Sequence, residues 1–216
     1  MNVQRHQAFI ASGVPTSYRA MFAFLFSGSG IWALLLGMLL PGLIKLLYGH
    51  WDLLDSGIVL AFFFGRGAIE WMIHSWLYHA NPLPVIGWRL RSSVSDAHIR
   101  HHMDPSDLST LLITWRGVVA VLLVTFAGFY LVFGNMDRAL TMVIGFAIVG
   151  TMIELLHLVC HCRIPHRNAL MKSLVRLHRY HHHVDSHNFY GVSSSMGDRL
   201  FGTFPVAAVP ADEERV

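Results

Sequence analysis

The sequence predicts an all-α integral membrane protein, with four transmembrane helices and a helical cap on one side of the membrane. Two observations carry this prediction. The 216 residues are 54% hydrophobic and only 13% charged, about half the charged fraction usual for soluble domains. Four stretches also reach the length of about 20 mostly apolar residues that a helix needs to cross a bilayer. Because no linker-like stretch divides the chain, we predict a single membrane domain over residues 1–216.

The predicted elements follow one another without long gaps. In chain order they are an N-terminal lead over 1–20, spans over 21–47, 57–79, 111–134 and 139–162, and cap segments over 80–110 and 163–216. The Pro41-Gly42 pair predicts a kink or an early exit in the first span, because proline disrupts helix interiors. Arg66 and Glu70 interrupt the second span, and an embedded charge of this kind indicates a functional role by default.

The distribution of basic residues predicts the orientation. The two short turns between spans hold only Lys45 and Arg138, whereas most other arginines and lysines lie in the lead, the central connection and the C-terminal segment. The positive-inside rule then places both termini and the cap in the cytoplasm. The net charge of +3 therefore reflects topology, and we expect no nucleic-acid partner. The compact chain favours a bacterial inner membrane over the endoplasmic reticulum.

Ten of the 15 histidines form four motifs, which come in two matching pairs. They are, in order, H-x4-H (His74, His79), H-x2-H-H (His98, His101, His102), H-x3-H (His157, His161) and H-x2-H-H (His178, His181, His182). The first and third motifs lie at the predicted cytoplasmic ends of the second and fourth spans, and the other two follow in the cap. All four motifs can therefore meet just inside the membrane face. Neutral imidazole is the commonest protein metal ligand, so the motifs predict a metal site.

The spacing within the motifs suits helices with one exception. Positions i, i+3 and i+4 share a helix face, so each H-x2-H-H motif can present three rings from one short helix. His74 and His79 differ, because five residues rotate by about 140° on an α-helix; this pair needs a local unwinding or divides between two metals. Ten imidazoles exceed the four ligands of structural zinc and fit a dinuclear centre. Imidazole suits zinc, copper, iron and nickel, so the ligand type leaves the metal open.

The sequence also offers groups that could support the ligands. A ligating histidine usually donates its other N–H to a carboxylate or a carbonyl. Candidate partners or extra ligands are Glu70, Glu154, Asp96, Asp185, His183 and His187. For the carboxylates, ion pairs with nearby arginines are the alternative. The isolated histidines, His6, His50 and His166, are predicted not to be ligands, and Cys160 and Cys162 are interpreted as helix-packing residues.

Read in order, the four motifs resemble those of the fatty acid hydroxylase / sterol desaturase superfamily. The resemblance runs from Glu70 to about Phe204, nearly two-thirds of the chain. The ending "HRYHHHVDSHNFYGVSSSMGDRLFGTF" is similar to the superfamily's closing motif, and its "GVSSS…D…FGT" part is similar to fatty acid 2-hydroxylases. Gly197 departs from this pattern, because tryptophan often stands before the aspartate that corresponds to Asp198.

The resemblance implies a di-iron centre that activates O2 and inserts oxygen into a C–H bond of a lipid, with the ten histidines as ligands. Zinc could occupy the same site in a purified sample. The sequence carries no H-P-G-G haem motif, so we expect electrons from a separate donor, either a cytochrome b5-like protein or a ferredoxin with its reductase. No acid–base residue and no substrate-binding residue is assigned beyond the metal ligands.

Several alternatives stay open at this point. A lipid or sterol desaturase, or a carotenoid hydroxylase of the same superfamily, would carry the same histidines. A metal transporter is a more distant alternative, because it needs ligands near the middle of the membrane and the outer halves of the spans hold almost none. A catalytically silent, metal-stabilised protein is the remaining one. The substrate, the carbon attacked and the oligomeric state are not specified by the sequence.

Overall fold

The computed structural model describes the backbone of residues 13–85 and 88–205, and the side chains of these residues except 83–90. Most of the predicted lead, His6 and the last part of the second cap segment lie outside the described residues. Four helical segments are long and apolar enough to cross a membrane, as predicted. They are Ser29–Tyr48, Leu53–Tyr78, Leu108–Phe133 and Met136–His161.

The regular structure of the described residues consists of helices and one short hairpin. Its helices are α1 (Tyr18–Ser27), α2 (Ser29–Tyr48), α3 (Leu53–Met72), a π-helix continuing α3 (Ile73–Tyr78), α4 (Ser93–Met103), a 3₁₀ turn (Leu108–Thr110), α5 (Trp115–Phe133), α6 (Met136–His161), α7 (Ala169–His183) and α8 (Met196–Phe201). Strands β1 (Leu83–Val85) and β2 (Trp88–Leu90) pair antiparallel, with Pro84 opposite Arg89. This hairpin lies within the predicted first cap segment, 80–110, where no strand was expected.

The predicted first span over 21–47 is divided into two helices. Gly28 adopts an extended conformation between α1 and α2, and a β-carbon at this position would lie 2.7 Å from a side-chain carbon of Leu112. Helix α1 is packed into the protein core through Met21 and Phe24. Helix α2 continues through Pro41 to Tyr48, so the early exit predicted at Pro41-Gly42 does not occur.

Helix α6 is the centre of the bundle and packs against α2, α3 and α5. Of the 18 most apolar consecutive residues of α6, 56% are buried, against 6% of the corresponding residues of the segment that includes α5. Gly145 lets α6 approach α3 closely, because a β-carbon there would come within 2.8 Å of the Phe62 ring. The outer faces of the other spans expose large apolar side chains such as Leu39 and Leu123, as expected for surfaces in contact with lipid.

A buried ionic cluster ties the helices together at the end of the bundle far from the histidines. Lys45 Nζ lies 3.1 Å from Asp55 Oδ1 and 2.7 Å from Asp137 Oδ2. Arg138 forms a further pair with Asp55 at 2.6 Å, and the Thr141 hydroxyl also donates to this carboxylate. The two cations predicted in the short turns are thus neutralised by carboxylates at the starts of α3 and α6.

Candidate metal centre

The ten histidines of the four motifs come together in two clusters of five. The first histidine cluster comprises His74, His79, His98, His102 and His181, and the second comprises His101, His157, His161, His178 and His182. In each cluster one ligand atom per residue lies within 4.8 Å of all the others. The clusters adjoin each other, because the rings of His102 and His182 stack with centroids 4.1 Å apart. The lone histidines His50 and His166 belong to neither cluster.

The distances between ring nitrogens fit shared coordination better than hydrogen bonding. His98 Nε2 lies 2.9 Å from His74 Nε2, 3.2 Å from His79 Nε2 and 3.1 Å from His102 Nε2. One ring nitrogen offers a single N–H or a single lone pair, so it cannot make three hydrogen bonds. Two nitrogens bound at right angles to one ion at about 2.1 Å would lie about 3.0 Å apart. The nitrogens therefore have the spacing of ligands around a common centre.

The second histidine cluster has the same spacing. His161 Nε2 lies 3.0 Å from His101 Nε2 and 2.9 Å from His178 Nε2, and His178 Nε2 lies 3.0 Å from His182 Nε2. His157 Nε2 is buried without a hydrogen-bond partner among the described residues. A buried polar nitrogen without a partner is costly, and an ion held by the cluster would remove that cost.

Helix geometry explains why each H-x2-H-H motif supplies both clusters. Successive residues on an α-helix are separated by about 100°, so i and i+4 differ by about 40° whereas i+3 lies about 60° to the other side. On α4, His98 and His102 accordingly point to the first cluster, and His101 points to the second. On α7, His178 and His182 join the second cluster, and His181 crosses to the first. Each motif therefore supplies two ligands to one cluster and one ligand to the other.

A π-helix resolves the irregular spacing of His74 and His79. The amide of His79 donates to the carbonyl of His74 at 3.0 Å, which is the i→i+5 bond of a π-helix. This wider turn brings both rings into the first histidine cluster, with centroids 5.1 Å apart. The local unwinding is confirmed, and the pair does not divide between the clusters.

Backbone carbonyls orient two rings of the first histidine cluster. His74 Nδ1 contacts the carbonyl of Tyr190 at 2.5 Å, and His181 Nδ1 contacts the carbonyl of Asn188 at 2.7 Å. Both carbonyls belong to the loop between α7 and α8. This arrangement fixes which ring nitrogen faces the cluster.

The predicted carboxylate partners make other contacts. Glu70 accepts from the amide and the hydroxyl of Ser193 at 3.0 and 2.8 Å, and Glu154 accepts from the amide of Ile113 at 2.8 Å. Among the described residues, neither is hydrogen-bonded to a histidine ring. Each buried carboxylate instead satisfies a backbone N–H beside the clusters, one on the α7–α8 loop and one before α5.

The remaining candidates lie at the periphery. Asp96 is 3.8 Å from Arg91, which is the alternative ion pair, and Asp185 accepts from the amide of His187 and the side chain of Asn188. His183 and His187 are exposed and belong to neither cluster. Asp185 thus contacts the first histidine cluster indirectly, through Asn188, which it holds by a hydrogen bond and whose carbonyl contacts His181.

Asp198 is a buried carboxylate beside the site that the spacing of the histidine motifs does not identify. Its side chain is buried and accepts from the amides of Tyr190 and Gly191 and from the hydroxyl of Thr203, at 2.8, 2.9 and 2.7 Å. It therefore holds the loop that orients His74. The available signal was its place in the closing "GDRLFGT" motif.

Burial keeps the cap histidines in the form that binds metal. Desolvation lowers the pKa of His101 to about 4 and that of His181 to about 3. It also lowers the pKa of His98 and His178 well below the usual range. These rings are neutral at pH 7, which leaves one nitrogen lone pair on each free for a metal ion.

Two cavities reach the clusters from different sides. An apolar cavity of about 70 Å³, partly open to the surroundings, lies between the spans and contacts His74, His98 and His157. Its walls include Ile73, Leu77, Val118, Leu122, Phe146 and Ile153, and Glu70 and Glu154 also line it. A second, polar pocket lies between α7 and the loop after α4, and contacts His161, His178 and His182.

Comparison with known proteins agrees with this geometry. The family model described as fatty acid hydroxylase matches residues 59–203, a range that contains all ten clustered histidines, the apolar cavity's carboxylates and Asp198. Comparisons with curated proteins and with solved structures gave no match.

Proposed function

The chain belongs to the fatty acid hydroxylase family, and from this premise we propose that it hydroxylates a lipid acyl chain with O2 at a centre of two iron ions. The observation that carries the proposal is the pair of five-histidine clusters at the end of an apolar cavity. One cluster would hold each ion, through the nitrogens that face its centre. The iron centre, when bound, supplies the O2 activation that no side chain of the protein can perform.

The two clusters leave room for chemistry. Five imidazoles around an ion that accepts six ligands leave a position for O2 or solvent, and an open position separates catalytic from structural metal sites. Neutral imidazole suits iron but also zinc, so zinc in a purified sample would be consistent with the same ligands. Exclusion of water protects reactive species during such a reaction, and the buried faces of His98, His101 and His178 provide it.

The apolar cavity supports a lipid substrate. Its lining is almost entirely aliphatic and aromatic, and it contacts one histidine of the second cluster and two of the first. A saturated chain lying in it would lose contact with water and gain about 25 cal/mol for each Å² of apolar surface buried. Leu77 and Phe146 in its walls would hold the chain through apolar contact, while Glu70 and Glu154 are carboxylates in the same lining.

The orientation, the source membrane and the electron supply are parts of the same proposal. Both termini and the histidine clusters face the cytoplasm, in a bacterial inner membrane. Electrons come from a separate cytochrome b5-like protein or a ferredoxin with its reductase. The basic residues of the cap, which favour the cytoplasmic side, support this arrangement.

Lipid mass spectrometry of cells with and without the protein tests the proposal. Hydroxylation adds 16 mass units to a lipid, whereas desaturation removes 2, which is the result expected of the alternative activity in this family. His178→Ala should abolish the new product, and His50→Ala, which changes an exposed histidine outside both clusters, should retain it. A product that persists in the His178→Ala variant would contradict the proposal.

A further inference from the structure

The outer face of α7 carries a row of basic side chains. Lys172, Arg176, Arg179 and His183 are all exposed, and their spacing of four, three and four residues places them on one side of the helix. The other side, including Leu177, is buried against the bundle. None of the ion pairs within the described residues involves these four side chains. We refer to the four as the basic stripe.

The basic stripe ends at the polar pocket of the second histidine cluster. Arg179 and His183 line this pocket together with His178 and His182. Asp104 is the one carboxylate in the lining that the structure describes, and it is engaged by the amide and hydroxyl of a neighbouring serine at 3.1 and 2.6 Å. The edge of the second cluster is therefore reached from outside through a predominantly basic opening.

This opening is separate from the apolar cavity. Within the described residues, the polar pocket contacts histidines of the second cluster alone, whereas the apolar cavity contacts His74 and His98 of the first cluster and His157 of the second. A lipid in the apolar cavity would leave the polar pocket free. A polar partner can thus approach the metal centre while the substrate is bound.

We propose that the basic stripe and the adjoining pocket dock a small acidic electron-transfer protein, which delivers electrons through the second histidine cluster. The inference rests on the proposed function and deepens it by naming the docking surface and the receiving cluster. Each turnover, R–H + O2 + 2 e⁻ + 2 H⁺ → R–OH + H2O, consumes two electrons and two solvent protons. The haem or iron–sulfur carrier is oxidised by one electron in each of two encounters.

The composition of α7 favours a protein partner over the membrane surface. A helix that lies on a bilayer inserts its apolar face into the lipid, but the apolar face of α7 is already buried in the protein. The large exposed apolar side chains at its ends are Leu170, in the first turn, and Val184, the residue that follows the helix. A row of basic side chains that form no ion pair within the described residues, on a helix without such an anchor, suits an acidic protein surface, because opposite charges accelerate association.

Anaerobic stopped-flow measurement of electron transfer tests the docking surface directly. The full-length, iron-loaded protein in neutral phosphatidylcholine nanodiscs is mixed with a pre-reduced acidic [2Fe–2S] ferredoxin, and ferredoxin oxidation is followed. Lys172→Glu/Arg176→Glu should lower the second-order rate constant about tenfold or more and flatten its dependence on salt. Arg19→Glu/Arg116→Glu, which reverses two exposed cations elsewhere, is the matched control.

Each outcome decides the proposal. An unchanged rate in the stripe variant, or an equal loss in the control variant, overturns it. A loss confined to nanodiscs containing anionic phosphatidylglycerol also overturns it, because the stripe then contacts lipid headgroups. Reduction by dithionite, which needs no docking, should fall far less than reduction by ferredoxin. If stripe-dependent oxidation of ferredoxin occurs but no lipid product forms in air, docking stands and the proposed hydroxylation fails.

Discussion

Replacing Asp198 with alanine should release the loop that orients the first histidine cluster. Asp198 is 1% exposed, and its carboxylate accepts from Tyr190 N, Gly191 N and Thr203 Oγ1 at 2.8, 2.9 and 2.7 Å. The carbonyl of Tyr190 in turn contacts His74 Nδ1. Without the carboxylate, two buried amides lose their acceptor, and the carbonyl that positions His74 is no longer fixed.

The magnitude follows from the three hydrogen bonds. A hydrogen bond to a charged group contributes about 1.5–3 kcal/mol, and a buried donor left without an acceptor incurs its desolvation cost. Contributions that share one acceptor are not additive, and the hydroxyl of Thr203 can turn towards water. We therefore expect the free energy of local opening of the loop to fall by about 3–5 kcal/mol, which is on the order of a thousandfold in the opening equilibrium.

Hydrogen-exchange mass spectrometry and metal analysis check this prediction. The peptide that contains Tyr190 and Gly191 should exchange much faster in Asp198→Ala, and metal should be lost from the first histidine cluster before the second. Asp107→Ala is the control, because Asp107 is half-buried in a different loop, where within the described residues its carboxylate accepts from the amide and hydroxyl of Ser109. Unchanged exchange and unchanged metal content in Asp198→Ala would refute the anchoring role.

Three further predictions concern the second cluster, the ionic cluster and pH. His157→Ala should reduce the metal content measured by mass spectrometry and abolish activity, whereas His183→Ala should leave the metal content unchanged. An unchanged metal content in His157→Ala would contradict the hypothesis that the four histidine motifs build one metal centre. Lys45→Ala should lower the free energy of unfolding by about 3 kcal/mol, which is the low end for breaking a buried ion pair, because Arg138 still contacts Asp55. Denaturant titration in detergent measures this change. A loss below about 1 kcal/mol would show that the ion pair contributes little to stability. The metal-free protein should lose stability as the pH falls below about 6.5. Burial lowers the folded-state pKa of His101 to about 4, so the unfolded chain binds a proton at a higher pH than the folded chain does. A melting temperature that stays constant from pH 7 to pH 5 would contradict this prediction.

The fold was predictable to the level of its apolar segments. Length and hydropathy alone identify four spans, because a bilayer requires about 20 apolar residues whatever the tertiary packing. The break at Gly28 was not predictable, since the helices on both sides of it are apolar and the close neighbour of Gly28, Leu112, is distant in the chain. The hairpin between β1 and β2 was missed for a similar reason: three-residue strands are too short for a periodic pattern.

The sequence predicts which histidines form the candidate site, but it does not predict the hydrogen-bond partners of the nearby carboxylates. Spacing and shared depth selected the ten histidines, and all ten lie in the two clusters. The contacts of Glu70 and Glu154 were not predictable, because Ser193 is far from Glu70 in the chain and Ile113 is far from Glu154. A carboxylate near a histidine in sequence does not specify which buried N–H it will satisfy.

The sequence by itself determined that this protein is a helical membrane protein of the fatty acid hydroxylase family with ten histidines at one level. Hydropathy and motif spacing are local properties, so they can be determined from the sequence without knowledge of the fold. Tertiary structure alone decided that His101 and His181 cross between the clusters and that a π-helix unites His74 with His79. It also decided that Asp198 holds the α7–α8 loop, whose Tyr190 carbonyl contacts His74. These features depend on the rotation of helices against one another and on backbone groups distant in the chain, which no residue pattern records.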